Sequence, residues 1–224
     1  MGLRNDTNQR LAALSKVDKA RWLDPAEQEF RDLGFAKASL NRILASVKAS
    51  KGQFYYYFAN KEALYRAVVE RALKQFVVKL DVHPPLVCAS ATEFWKETTE
   101  IIANVSSAFR ANPRFAELAR GIHREAAAEM AVPGLQKRLL NWLRKWLISG
   151  QQSGAVRDDL PLDLIAALAF SAMREADHWF AIHGNQLQPT EVRTINGVIT
   201  QMLLAMLAPP DRLADLTARC PITS

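Results

Sequence analysis

Apolar positions along the chain return every three or four residues, and no stretch alternates convincingly with period two, so the pattern predicts helices throughout. Trp22, Ala26, Phe30 and Leu33 share one face of a first helix, which Gly34 closes. Ser39 precedes a short helix carrying Leu40, Ile43, Leu44 and Val47 in phase. Ser50-Lys51-Gly52-Gln53 has the form of a capping box and opens a second short helix through Phe58. Asn60 caps a long helix from Lys61 to Leu80, which stops before His83-Pro84-Pro85. About five longer helices follow. One runs from Thr92 to Ala111 and stops at Asn112-Pro113, another opens at Pro133-Gly134, and a loop spans Gly150 to Pro161. The last two run from Leu162 to His183 and from Thr190 to Leu207, ahead of Pro209-Pro210. The expected fold class is all-α.

Pro25 interrupts this pattern. A proline inside a helix removes a hydrogen bond and kinks the chain, whereas Asp24-Pro25-Ala26-Glu27 also reads as a fresh helix start. A kinked helix keeps Trp22 in phase with Ala26 and Phe30; a restart leaves a separate arm before Leu23.

Composition adds little until charge is placed along the chain. The 224 residues are 49% hydrophobic and 23% charged, which is ordinary for a globular protein and excludes a disordered one. Two cysteines, Cys88 and Cys220, are too few for a disulfide framework. The longest apolar runs, such as Leu164 to Phe170, are too short to span a membrane, and the start carries no apolar signal core. The expectation is a soluble cytoplasmic protein without a membrane partner.

The net charge of +6 is uneven. Residues 1–80 carry 15 Lys and Arg against 8 Asp and Glu, and the rest of the chain is close to neutral. From Leu33 to Lys61 the cations Lys37, Arg42, Lys48, Lys51 and Lys61 occur with no acid among them. Such a segment suits phosphate neutralisation, although a solvated surface that happens to lack acids reads the same way.

Two short helices separated by Lys48-Ala49-Ser50 form a helix-turn-helix pattern, whose second helix is shaped to enter a major groove. Phe54 and Phe58, four apart, are expected inward, which leaves Tyr55, Tyr56 and Tyr57 to fan outward and donate to phosphates. Lys51 and Lys61 stand in first helical turns, where the dipole disfavours a cation unless an anion docks there. Gly52 permits either close approach of a base edge or close helix packing.

Leu33-Gly34-Phe35, Ser39-Leu40-Asn41-Arg42-Ile43 and the run from Ser50 through Leu64 resemble the DNA-binding domain of the tetracycline-repressor (TetR) family, over about residues 17 to 70. The aromatic block followed by Lys61-Glu62-Ala63-Leu64 is the most specific part of that likeness. The resemblance implies a homodimeric transcriptional regulator of a palindromic operator in double-stranded DNA, acting as a repressor released by a small lipophilic or aromatic effector. By position Lys51, Gly52 and Gln53 would face bases. Ser39, Lys48, Tyr55, Tyr56, Tyr57 and Lys61 would hold the backbone. The chain departs from the family at Lys48, where glycine is usual and strain or a phosphate contact follows, and at Tyr57, where histidine is usual.

The implied organisation is an arm over 1–16, the DNA-binding domain over 17–64, an effector and dimerisation domain over 65–208, and a tail over 209–224. Candidate pocket residues are Phe109, His123, Trp142, Trp146, Met173, Asp177 and Phe180, too bulky or too polar for a plain bundle core. Candidate dimer-interface residues are Ala169, Ala172, Ala176, Val198, Met202 and Met206. His123 and His178 lack ligand-spaced partners, so no metal and no cofactor is expected. No catalytic motif stands out, and Asp177 and His178, adjacent on a helix, point apart. The rival readings are an all-helical enzyme or small-molecule carrier whose basic N-terminus binds acidic partners, and a regulator-like fold that pairs with another protein.

Overall fold

The structure is a computed structural model that describes residues 2–80 and 88–212. The expected stop at His83-Pro84-Pro85 and the tail beyond residue 212 lie outside them. Eleven α-helices are found among the described residues: α1 (Gly2–Ala13), α2 (Lys16–Lys37), α3 (Leu40–Val47), α4 (Lys51–Tyr57), α5 (Lys61–Leu80), α6 (Ala91–Ala111), α7 (Pro113–Arg124), α8 (Ala126–Ala131), α9 (Pro133–Gln152), α10 (Leu162–His183) and α11 (Pro189–Leu207). They divide into two compact units, residues 1–79 with 108–133, and residues 80–107 with 134–224. In the first of them α7 and α8 fold back to pack on α2.

In the first unit α2 is the spine. It passes through Pro25 without a break; the non-helical residue inside it is Gly34, at φ 76° and ψ 171°. That region is open to glycine and closed to most other residues. Its effect is to turn Phe35 into the core, while Leu33, expected on the buried face, stays exposed. Trp22 meets Phe54, Tyr57 and Phe58 with ring centres 5.8 to 6.3 Å apart. Phe30, Phe35 and Tyr65 form a second ring cluster, and burial, with the Glu125 charge nearby, pushes the Tyr65 phenol well above its ordinary range. A third cluster joins Phe76, Phe109 and Phe115.

The second unit is built on Phe94, Trp146, Leu147, Val156, Ile165, Ala166, Ala169 and Leu207. Thr98 satisfies two polar groups inside it: its hydroxyl donates to the Phe94 carbonyl and accepts the Trp146 indole N–H at 3.2 Å. A Cβ at Gly150 would overlap Val156 and come within 2.8 Å of Phe94, so the end of α9 can lie this close only as glycine. The loop expected from Gly150 begins after Gln152, and the Arg157 N–H then donates to the Leu207 carbonyl at 2.8 Å. Among the described residues no helix is long and apolar enough to cross a membrane.

Candidate nucleic-acid interface

Helix α4 has seven residues, too few to hold itself in water, so its caps and packing decide whether it forms. Ser50 accepts from the Gln53 N–H at 3.2 Å while the Gln53 side chain accepts from the Ser50 N–H at 2.9 Å, closing the capping box. Phe54 and Phe58 are buried, as their spacing predicts. The outer face then carries Lys51, Gly52, Gln53, Tyr55 and Tyr56, all exposed, with the two tyrosines 53% and 51% open. Tyr57 differs from expectation. It is half-buried, its ring against Trp22 and Tyr56, so the fan holds two exposed tyrosines and a third at its edge.

A Cβ at Gly52 would find only the Ser50 hydroxyl, at 3.7 Å. Close helix packing therefore does not explain this glycine, since nothing inside the protein occupies the space.

The turn ahead of α4 is strained. Lys48 sits at φ 53° and ψ 47°, the left-handed conformation that glycine adopts freely. It is held there by hydrogen bonds from the Lys48 N–H to the Ala45 and Leu44 carbonyls and from the Ala49 N–H to Leu44. Its side chain is exposed. Ser39 caps α3, accepting from the Arg42 N–H at 3.4 Å.

Lys61 is engaged within the protein. Its ammonium donates to the carbonyls of Phe35, Ala36 and Ala38 at 2.8, 3.2 and 3.3 Å and lies 4.7 Å from the centre of the Phe35 ring. In the free chain this cation ties down the carbonyls at the end of α2 and the step into α3. Arg42 is similarly engaged, paired with Glu29 at 2.7 Å. Burial alone would raise the Glu29 carboxyl, but the Arg42 guanidinium and the Ser39 N–H outweigh it and hold the group below its ordinary range. Of the five cations in the acid-free segment, Lys37, Lys48 and Lys51 remain exposed without such commitments on their ammonium groups among the described bonds.

Two acids that sequence reasoning missed shape this face from outside the basic segment. Glu29 anchors the start of α3. Glu125, between α7 and α8, accepts the N–H groups of Phe35 and Ala36 at 3.0 and 2.7 Å, and its carboxylate fills the space beside Gly34. Glu125 stands 90 residues from Phe35, and no local pattern announces the pairing.

The candidate pocket residues are split between the two units. Phe109 and His123 lie in the first, where Phe109 completes the ring cluster with Phe76 and Phe115. In the second, Trp146 is a core side chain with its N–H satisfied, Asp177 is exposed, and Trp142 and Met173 pack half-buried against the core. Phe180 is half-buried against Trp179. Among the candidate interface residues Ala169 is corrected: at 1% exposure it belongs to the core of its own unit. Ala172, Val198 and Met202 are exposed, and Ala176 and Met206 half-buried.

Comparison with known proteins bears on this arrangement. Residues 23–68 match the family model described as bacterial regulatory proteins, tetR family. The chain is 35% identical over 69 residues to the HTH-type transcriptional repressor SCO4008 of Streptomyces coelicolor, covering 31% of this chain and 36% of that protein. It is 38% identical over 48 residues to the A-factor receptor protein of Streptomyces griseus, covering 21% and 17%. The matched segment thus spans well under half the length of either relative. In fold, the chain is similar to the transcriptional regulator FadR from Bacillus subtilis, solved in complex with stearoyl-CoA, with a TM-score of 0.61 and 16% identity over 83% of this chain and 97% of that one. The residues that build the exposed α4 face and its supports fall largely inside residues 23–68, the segment that is similar to the tetR family of bacterial regulatory proteins.

Proposed function

We propose that the chain is a ligand-responsive DNA-binding transcriptional regulator that acts as a dimer on a palindromic operator. The observation that carries this reading is the face of α4, where Lys51, Gly52 and Gln53 stand exposed beside Tyr55 and Tyr56, with empty space over Gly52. Lys51, Gly52 and Gln53 are the proposed base contacts. Ser39, Lys48, Tyr55 and Tyr56 are the proposed phosphate contacts, with Tyr57 at the margin.

Dimerisation is supported by α10 and α11. Leu164, Leu168, Trp179 and Ile182 are exposed along one face of α10, and Val198 and Met202 along one face of α11, with α10 and α11 packed side by side. Apolar stripes of this kind on neighbouring helices suit a four-helix contact with a second copy.

A repressor role follows the name of SCO4008, and release by a small lipophilic effector follows the receptor and acyl-CoA complex among the relatives. The half-buried shell of Trp95, Trp142, Phe170 and Met173 around the second core offers such a ligand apolar surface. Effector binding would favour a state whose paired α4 helices no longer match the half-site spacing.

The test is to incubate the purified chain with random duplexes and sequence what it retains. A palindromic consensus with half-sites about one helical turn apart supports the reading. Retention of all sequences alike, or of none, overturns it.

A further inference from the structure

Helix α1 has no part in the function proposed above, yet it packs directly on α4. The Arg10 guanidinium lies 4.5 Å from the centre of the Tyr56 ring and donates to the Tyr56 carbonyl at 3.5 Å. The corner between α1 and α2 is pinned. The Lys19 ammonium donates to the Ala12 carbonyl at 2.8 Å, and Ser15 caps α2 by accepting from the Asp18 N–H at 3.0 Å. Arg10 is therefore held against α4 by a folded element and does not trail past it.

Where α1 lies matters as much as what it carries. With α1 in place, Lys51, Gly52, Gln53, Tyr55 and Tyr56 all remain exposed. An open groove of about 490 Å³ separates the α1–α2 corner from α4, lined on one side by Leu14, Asp18 and Arg21 and on the other by Gly52, Gln53 and Tyr56. So α1 flanks the outer face of α4 without capping it. Besides Arg10 on α1, the α1–α2 corner carries the cations Lys16 and Lys19 and the acid Asp18, which accepts from the Ser15 hydroxyl at 2.6 Å. A guanidinium over a tyrosine face also holds that ring in one orientation.

We propose that α1 is a second, sequence-independent DNA-binding element: Arg10 meets a backbone phosphate beside the one taken by Tyr56, and its stacking keeps the Tyr56 ring in place. This rests on the DNA-binding reading above.

The test measures affinity of the full chain, Arg10→Ala, Arg10→Lys and Lys51→Ala for a random duplex and for the selected duplex, between about 50 and 200 mM salt. Arg10→Ala is expected to lower the slope of log affinity against log salt by about 0.9 and to weaken both duplexes by the same several-fold factor. Arg10→Lys is expected to restore the slope. Lys51→Ala should instead weaken the selected duplex more than the random one. An Arg10→Ala variant that binds as the parent does, binds more tightly because α1 had been obstructing the face, or loses only the selected duplex overturns the proposal. A parent chain indifferent to salt and to duplex overturns the DNA-binding reading itself.

Discussion

Gly52 has room for a methyl group and carries none. In the first turn of a helix this short, glycine costs up to about 1 kcal/mol relative to alanine. Gly52→Ala is therefore expected to raise the melting temperature and to weaken binding to the selected duplex; a variant that gains stability and keeps full affinity would remove Gly52 from the base-reading set. Lys48 presents the reverse case. Its backbone is left-handed, where glycine is at ease, and Lys48→Gly should stabilise the chain by about 1 kcal/mol in a denaturant titration. If the exposed ammonium touches a phosphate, the same variant binds all duplexes more weakly, and stability and affinity move in opposite directions. Both residues keep a local disadvantage that the folded chain by itself does not require.

At the scale of elements, the join between α2 and α3 is a heavily tied stretch of the proposed DNA-binding region. Lys61 holds its carbonyls, Glu125 its N–H groups, and Glu29 the start of α3 through Ser39 and Arg42. Because the folded state depresses the Glu29 carboxyl, its contribution is present at neutral pH and is lost as pH falls through that lowered value. Urea midpoints measured against pH should show Glu29→Gln less stable than the parent at pH 7, with the gap closing under acid; a gap that stays constant with pH would exclude the ion pair as its cause. The helices themselves were legible in the sequence because they rest on local signals: Ser39 and Ser50 as caps, Gly34 as a break, Pro113 and Pro133 as starts. The internal partners of Lys61 are hidden from the sequence for the same reason. A cation in a first turn looks orphaned until the carbonyls of residues 35 to 38, brought up by the fold, are beside it. Tyr57 likewise fits an outward fan by spacing alone, and only the position of Trp22 draws it half inside.

For the whole molecule, the expected second copy makes the sharpest demand. Met202 is 67% exposed and Leu168 46%, on faces that a lone chain leaves in water. Leu168→Glu and Met202→Glu are expected to convert a dimer to a folded monomer in analytical ultracentrifugation and to weaken binding to a palindrome far more than to a single half-site. Either variant remaining dimeric would move the contact elsewhere. Ala169 could not be separated from Ala172 by sequence, since both are small residues on one helix; the contacts of the core decide that the first turns inward.

The returning segment of residues 108–133 has a consequence for how the protein is made. It shares a compact unit with residues 1–79, where Phe109 and Phe115 complete the ring cluster on Phe76 and Glu125 accepts the N–H groups of Phe35 and Ala36. During synthesis the Phe76 cluster and the Glu125 bonds form only once residues 108–133 have followed the first helices. A fragment cut after α5 is thus expected to keep its two inner ring clusters and to be less stable than the full chain for want of α7 and α8.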